Sequence, residues 1–248
     1  MIKPSFLEPT ENPTVVGHVF GTPLVVKGWT WFPVIELVMW AALTWVVGKA
    51  QPDLSRWKRL EAGALSTIIM AGSEWCHNLA HAAAARWIGK PMDAMRITWG
   101  TPLLVYFDIN DQKVTPRQHV LRSLGGPAFN ALMIPIAWIA KQFTSEGSVS
   151  HYLTNLAMEW NTTLATMALL PIPGIDGGPV LKWSLVGRGY TAEKADEMVK
   201  GVNRLVGPGL GIAAGVALKK RRPWLGALLG VLAAASLAIG FGLLREQK

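Results

Sequence analysis

Residues 224–244 contain no charged side chain, and neither do residues 124–140. No other feature constrains the chain as strongly, because roughly 20 apolar residues in a helix cross a hydrocarbon layer about 30 Å thick. Three further runs are nearly as apolar. Residues 31–47 hold only Glu36, and residues 152–170 hold only Glu159. Residues 62–88 are long and apolar but include Glu74, His77, His81 and Arg86. Residues 205–218 are shorter and contain Pro208, which suits a tilted short helix or a re-entrant piece. The chain therefore reads as an α-helical polytopic membrane protein with about six transmembrane helices, in a single membrane-embedded domain over residues 1–248. Composition agrees: 50% of the 248 residues are apolar and only 16% are charged, against about 25% charged in soluble domains.

The net charge of +8 raises nucleic acid as a partner. The basic residues argue otherwise, because those at 49–59 and 219–222 lie between apolar runs, as membrane-surface loops do. The expected surroundings are a lipid bilayer, with multi-pass insertion in the cell membrane and no nucleic acid. Trp29, Trp31, Trp57, Trp99 and Trp224 stand at run edges, where indoles favour the interface. Loops on both sides of the runs are basic, so orientation is not fixed. Residues 1–27 hold Glu8, Glu11 and several prolines, unlike a secretory signal, and the first apolar run is expected to be retained. Cys76 is the sole cysteine, which rules out an intramolecular disulfide and leaves the redox compartment open.

Between the apolar runs, residues 90–122 read as an insert with short strands at 95–99 and 103–107 around a Gly100-Thr101-Pro102 turn. Residues 21–27 alternate in the same way. Extended backbone is not stable against lipid, so these strands should pair or line a cavity. Residues 190–200 read as a polar surface helix capped by Thr191.

The chemistry concentrates in the run at 62–88. Glu74, His77, Asn78 and His81 are spaced i, i+3, i+4, i+7 and share one helical stripe. His77 and His81, one turn apart, can grip a metal at about 2.0–2.1 Å; the alternative is a pair of neutral, hydrogen-bonded imidazoles. Ionisable groups inside a bilayer are functional candidates by default, and an i, i+4 pair with a carboxylate elsewhere favours metal. That carboxylate is Asp176, in Leu170-Pro171-Ile172-Pro173-Gly174-Ile175-Asp176-Gly177-Gly178, where prolines and glycines break the helix. Alone, Asp-Gly here reads equally as an interfacial turn. With the histidines, two His and one carboxylate make a catalytic-type zinc set with a position left for water. Cys76 points away from the stripe and reads as a buried small hydrophobe. Asn161, in an apolar run, reads as a polar contact or a site residue. Arg117 and His119 read as surface residues, and Glu159 as a run-end residue facing water.

These residues, in order, resemble the site-2 protease family of intramembrane metalloproteases. Residues 20–33 are similar to that family's N-terminal strand leading to the first span. His77-Asn78-Leu79-Ala80-His81 is similar to its metal helix, Gly126-Pro127-Ala128-Phe129-Asn130 to its Gly-Pro-x-x-Asn motif, and residues 170–178 to its Pro-x-x-Asp-Gly ligand motif. The resemblance implies zinc held by His77, His81 and Asp176. It also implies a small β insert lining the active-site cavity, and Asn130 near substrate or loop backbone; the plain alternative for Asn130 is an interhelical contact.

Two positions depart from the family pattern. The family's His-Glu-x-x-His carries a general base where this chain has Asn78, and an amide takes no proton at neutral pH. Met167-Ala168 stands where the family often has an Asn. Glu74, about 5.4 Å along the helix from Asn78, could act as a displaced base or a further ligand, or could bond to a neighbouring helix. The expected function is a site-2-protease-like zinc metallopeptidase acting on or binding transmembrane helices, its hydrolysis impaired or atypical. The alternative is an inactive pseudoprotease that binds membrane-protein helices as a regulator or chaperone. A histidine-box oxidase is set aside, because beyond this pair the chain has only His18, His119 and His151.

Overall fold

A computed structural model describes residues 12–244 except Phe107, Ile109, Asn110 and Gln112. The described residues are mostly helical, with seven α-helices and one small sheet. The strands are β1 (Thr14–Val19), β2 (Thr22–Val26), β3 (Ala94–Thr98) and β4 (Thr101–Val105). The helices are α1 (Val34–Ala50), α2 (Arg56–Trp87), α3 (Pro116–Gln142), α4 (Val149–Ala168), α5 (Gly177–Val186), α6 (Ala192–Lys219) and α7 (Pro223–Gly240). The chain divides into two compact units. One holds the sheet, α1, α2, α3 from Leu124 onward, and α4. The other holds the first turns of α3, then α5, α6 and α7.

Each of the six apolar runs lies on a helix. Three of these helices, α3, α6 and α7, are long and apolar enough to cross a membrane. The other three fall short for visible reasons. α1 has 17 residues, α2 spreads Glu61, Glu74 and Arg86 among its apolar positions, and α4 is rich in Ser, Thr and Asn.

The insert forms strands as expected, but its turn is tighter. Trp99 and Gly100 alone make the bend, with φ of 54° and 101°, the pair of positive angles that two-residue hairpins favour. Thr101 and Pro102, expected in the turn, belong to β4; the expected strand end at Phe107 lies outside the described residues. β2 matches the expected strand at 21–27. β1 was not legible, and it pairs with β2 through Phe20 and Gly21, again both at positive φ. The sheet order is β1-β2-β3-β4, with β2 and β3 parallel (Leu24 opposite Met95, Val25 opposite Arg96) and the outer pairs antiparallel.

Three bonds tie the hairpin tip to its unit. Trp99 N–H donates to Thr30 O at 2.6 Å, Ile35 N–H donates to Trp99 O at 3.1 Å, and the Trp75 indole N–H on α2 donates to Gly100 O at 2.9 Å. Beneath them, Ala82 and Ala85 of α2 pack against Met92 and Met95 of the insert. The sheet is therefore anchored to the helix that carries the histidines.

In the other unit, α6 is a single 28-residue helix, where a polar helix at 190–200 and a separate short span were expected. Thr191 caps it, its hydroxyl accepting from Lys194 N–H. Pro208 is carried inside because Gly207 brings α6 close to α7: a Cβ at Gly207 would stand 2.6 Å from Leu237 Cγ. Tertiary packing thus overrides the local helix-breaking signal. His119, expected at the surface, is 1% exposed. Its ring stacks parallel on Trp183 of α5 at 3.7 Å, and its Nδ1 accepts from Arg122 at 2.8 Å. Arg117 is exposed as expected.

Within the first unit, α1 and α2 approach through Gly63, where a Cβ would fall 2.8 Å from the Thr44 backbone. Backbone on one side leaves no easy relaxation. Gly63→Ala should destabilise this unit by about 1–3 kcal/mol, read as a lower Tm in detergent; an unchanged Tm would disprove the close crossing.

Candidate metal centre

α2 presents the expected stripe. His77, Asn78 and His81 are all buried, at 8%, 6% and 1% exposure, and the Nε2 atoms of the two histidines lie 3.2 Å apart. Two nitrogens bound to one tetrahedral ion at about 2.0–2.1 Å lie roughly 3.3 Å apart. The pair is spaced as a shared ion requires.

The orientation of His77 is set by a buried amide relay. His77 Nδ1 lies 2.5 Å from Asn130 Oδ1. Asn130 then donates from Nδ2 to Asn161 Oδ1 at 2.8 Å. Asn161 donates to Ser73 Oγ at 3.1 Å and to Ala157 O at 2.8 Å. An amide oxygen only accepts, so Nδ1 of His77 carries a proton, and Nε2 is the nitrogen turned toward His81. A partner on the far ring nitrogen is the usual way a ligand imidazole is fixed. Asn130 and Asn161 are 0% and 1% exposed. The relay joins α2, α3 and α4, and leaves neither amide oxygen without a donor.

Space in front of the nitrogens is kept by glycine. A Cβ on Gly126 would sit 2.5 Å from Nε2 of both histidines, and one on Gly125 would sit 2.6 Å from Ala80 O. Gly125 lets α3 lie against α2, and Gly126 leaves the ligand atoms uncovered. The donor set and this opening suit a metal ion.

Asn78 is held differently. Its Nδ2 donates to the Glu74 carbonyl at 2.9 Å and to the Glu74 carboxylate at 3.2 Å. The amide at the expected base position is thus coupled to the next carboxylate along the helix. Cys76, expected to be buried, is exposed, because the turn that buries His77 faces the opposite side.

Asp176 belongs to the other unit. It precedes α5 in αR conformation (φ −53°, ψ −36°), and its side chain makes no capping bond to α5. The loop around it is closely folded: a Cβ at Gly177 would lie 2.3 Å from the carbonyls of Leu169 and Leu170. Gly177 and Gly178 are therefore needed for backbone approach, which the Asp-Gly-Gly sequence signals.

Sequence reasoning named the histidines, Asn78, Glu74, Asn130 and Asp176 as candidates, and the first five lie in the first unit as described. It did not find Ser73 or the role of Gly126. Ser73 lies four residues before His77, on the same stripe, and that spacing was the available signal.

No protein-family model and no curated protein sequence matches the chain. Among solved structures, the chain is similar to the site-2 protease from Methanocaldococcus jannaschii. The TM-score is 0.53 at 12% identity, over 96% of this chain and 98% of that one. The chain has a site-2-protease-like fold.

If the pair ligates zinc, Gly126→Ala, which places a methyl against both Nε2 atoms, should weaken its binding about tenfold or more in a chelator-competition titration. Asn130→Ala, which frees His77 to rotate, should weaken it about 10- to 100-fold. Unchanged affinity in both would mean that the histidine pair does not ligate.

Proposed function

We propose that the chain is a site-2-protease-like zinc metallopeptidase of the membrane, acting on or binding transmembrane helices, with its hydrolysis impaired at position 78. The observation that carries this reading is the His77–His81 pair, with His77 oriented by Asn130 and with Gly126 beside both Nε2 atoms, within a site-2-protease-like fold. In this reading His77, His81 and Asp176, three side chains of metal-ligating type, hold the ion. In the same reading α3, α6 and α7 cross the cell membrane, and the three less apolar helices complete about six spans of a single membrane-embedded domain.

Bound zinc supplies a Lewis acid and a water of lowered pKa. The chain's own residues do the rest. His77 and His81 present neutral nitrogens from one buried helix face. Asn130, buried and with both ends of its amide engaged, holds the His77 tautomer and acts on the ring rather than on substrate. β4 ends the sheet on one side, so an unwound substrate segment can add there as a further strand.

The proton-accepting group is the weak point. General-base assistance is worth about 100- to 10,000-fold, and Asn78 cannot provide it. Its bond to the Glu74 carboxylate favours one of two outcomes. Either Glu74 is held in place as a displaced base, or the carboxylate is occupied by the amide and the protein is a pseudoprotease that binds helices without cutting them.

A cleavage assay in proteoliposomes with a transmembrane substrate decides between them. Asn78→Glu should raise cleavage about 100- to 10,000-fold while zinc content stays constant. If the parent already cleaves and Glu74→Gln abolishes this, the displaced base is correct. Zinc retained after His77→Ala, His81→Ala and Asp176→Ala would overturn the metal centre itself.

A further inference from the structure

The buried polar groups of the second unit have no part in the chemistry above. Asn203 on α6 is 0% exposed, as is Ser236 on α7. Asn203 Nδ2 donates to Pro171 O at 2.7 Å and to Val199 O at 2.9 Å. Ser236 Oγ lies 2.8 Å from Asn203 Oδ1 and 3.1 Å from Asn203 O. The Pro171 and Val199 carbonyls only accept, so Nδ2 is turned to them, and the Ser236 hydroxyl donates to the Oδ1 left on the other side.

Pro171 lies at the start of the loop that ends in Asp176. A continuing helix would bond its carbonyl to the N–H of Ile175. Here Ile175 N–H is given to Ile172 O at 3.0 Å instead. Asn203 supplies the donor that the backbone has withdrawn. The rest of the loop follows from that point: Ile172 N–H bonds to Leu170 O, Gly178 N–H to Ile175 O, and Val180 N–H to Asp176 O. The segment is a short chain of turns, and its first carbonyl is pinned from α6. Polar side chains buried in apolar helices are costly unless they serve a purpose, and this pair satisfies a carbonyl five residues before the carboxylate.

We propose that Asn203, its amide oriented by Ser236, is a positioning residue for the Asp176 carboxylate. The proposal rests on the zinc reading above and adds α6 and α7 to it as the scaffold of the third ligand. Asn203 touches neither metal nor substrate; it acts through the Pro171 carbonyl and the turns that follow.

The test uses the full chain in detergent, with zinc affinity by chelator competition and the visible absorption of the Co(II)-substituted protein. Asn203→Leu keeps the volume and removes the donor. Asn203→Asp keeps the shape and replaces the donor with an acceptor. Both should weaken zinc binding about 10- to 100-fold, as loss of an outer-shell partner does, and should lower the Co(II) band intensity as the third ligand loosens. Ser236→Ala, a milder change, should weaken binding about three- to tenfold in a chain that still folds, with a modest loss of Tm. Should the Asn203 variants fail to fold, Ser236→Ala decides. Weakened zinc binding and a lowered Co(II) band in a chain that still unfolds cooperatively support positioning. Unchanged zinc binding, or loss of folding in all three variants, overturns it in favour of a purely structural bond. An Asp176→Ala chain that binds zinc as tightly as the parent would refute the zinc reading itself, a result distinct from any of these.

Discussion

The contact between His77 Nδ1 and Asn130 Oδ1 is the constraint on which the rest of the first unit turns. It is a buried bond between two polar side chains on different helices, and it exists only because Asn130 is itself held by Asn161, and Asn161 by Ser73. Removing any member leaves a buried polar atom without its partner, which costs about 1–3 kcal/mol. Such a network tolerates little rearrangement, so the helices that contribute to it are held in register. The same bond fixes the tautomer of His77. Packing and chemistry are set by one interaction.

Close backbone approach makes that interaction possible. Gly125 and Gly126 let α3 rest on α2 at the level of His81, and Gly63 does the same for α1 on α2. Among apolar helices, small residues are the usual means of such approach. The sheet adds a third brace, through Trp75 and the alanine face of α2. α2 is thus contacted on several sides within its unit, which suits a helix whose polar stripe must stay in one orientation.

Much of this was legible because the signals are local. Apolar runs place helices, and an i, i+4 histidine pair states its own geometry. The errors share a physical origin too. His119 looked like a surface residue because its neighbours in sequence are polar, yet its partner Trp183 lies 64 positions away, beyond any local pattern. Pro208 marked a break that packing of α6 on α7 overrides. β1 was missed although Thr14, Val15, Val16 and Val19 are β-branched and favour a strand. Trp99 in a tight turn was missed because the positive φ it adopts is one that aromatic residues seldom take.

The role of Asn78 follows from this contrast between local and distant signals. Its side chain is engaged by Glu74 on the same helix, whereas His77 one position earlier is engaged across the unit by Asn130. Adjacent residues therefore answer to different parts of the structure. In the proposed reading, substitution at 78 changes what the helix presents to substrate without disturbing the relay that holds His77. A chain can lose its base in this way and keep an intact metal-binding frame. That separation is what makes restored cleavage by a single carboxylate at position 78 a reasonable demand on this fold: the histidines, their orienting amide and the glycine opening would already be in place, and only the proton acceptor would be new.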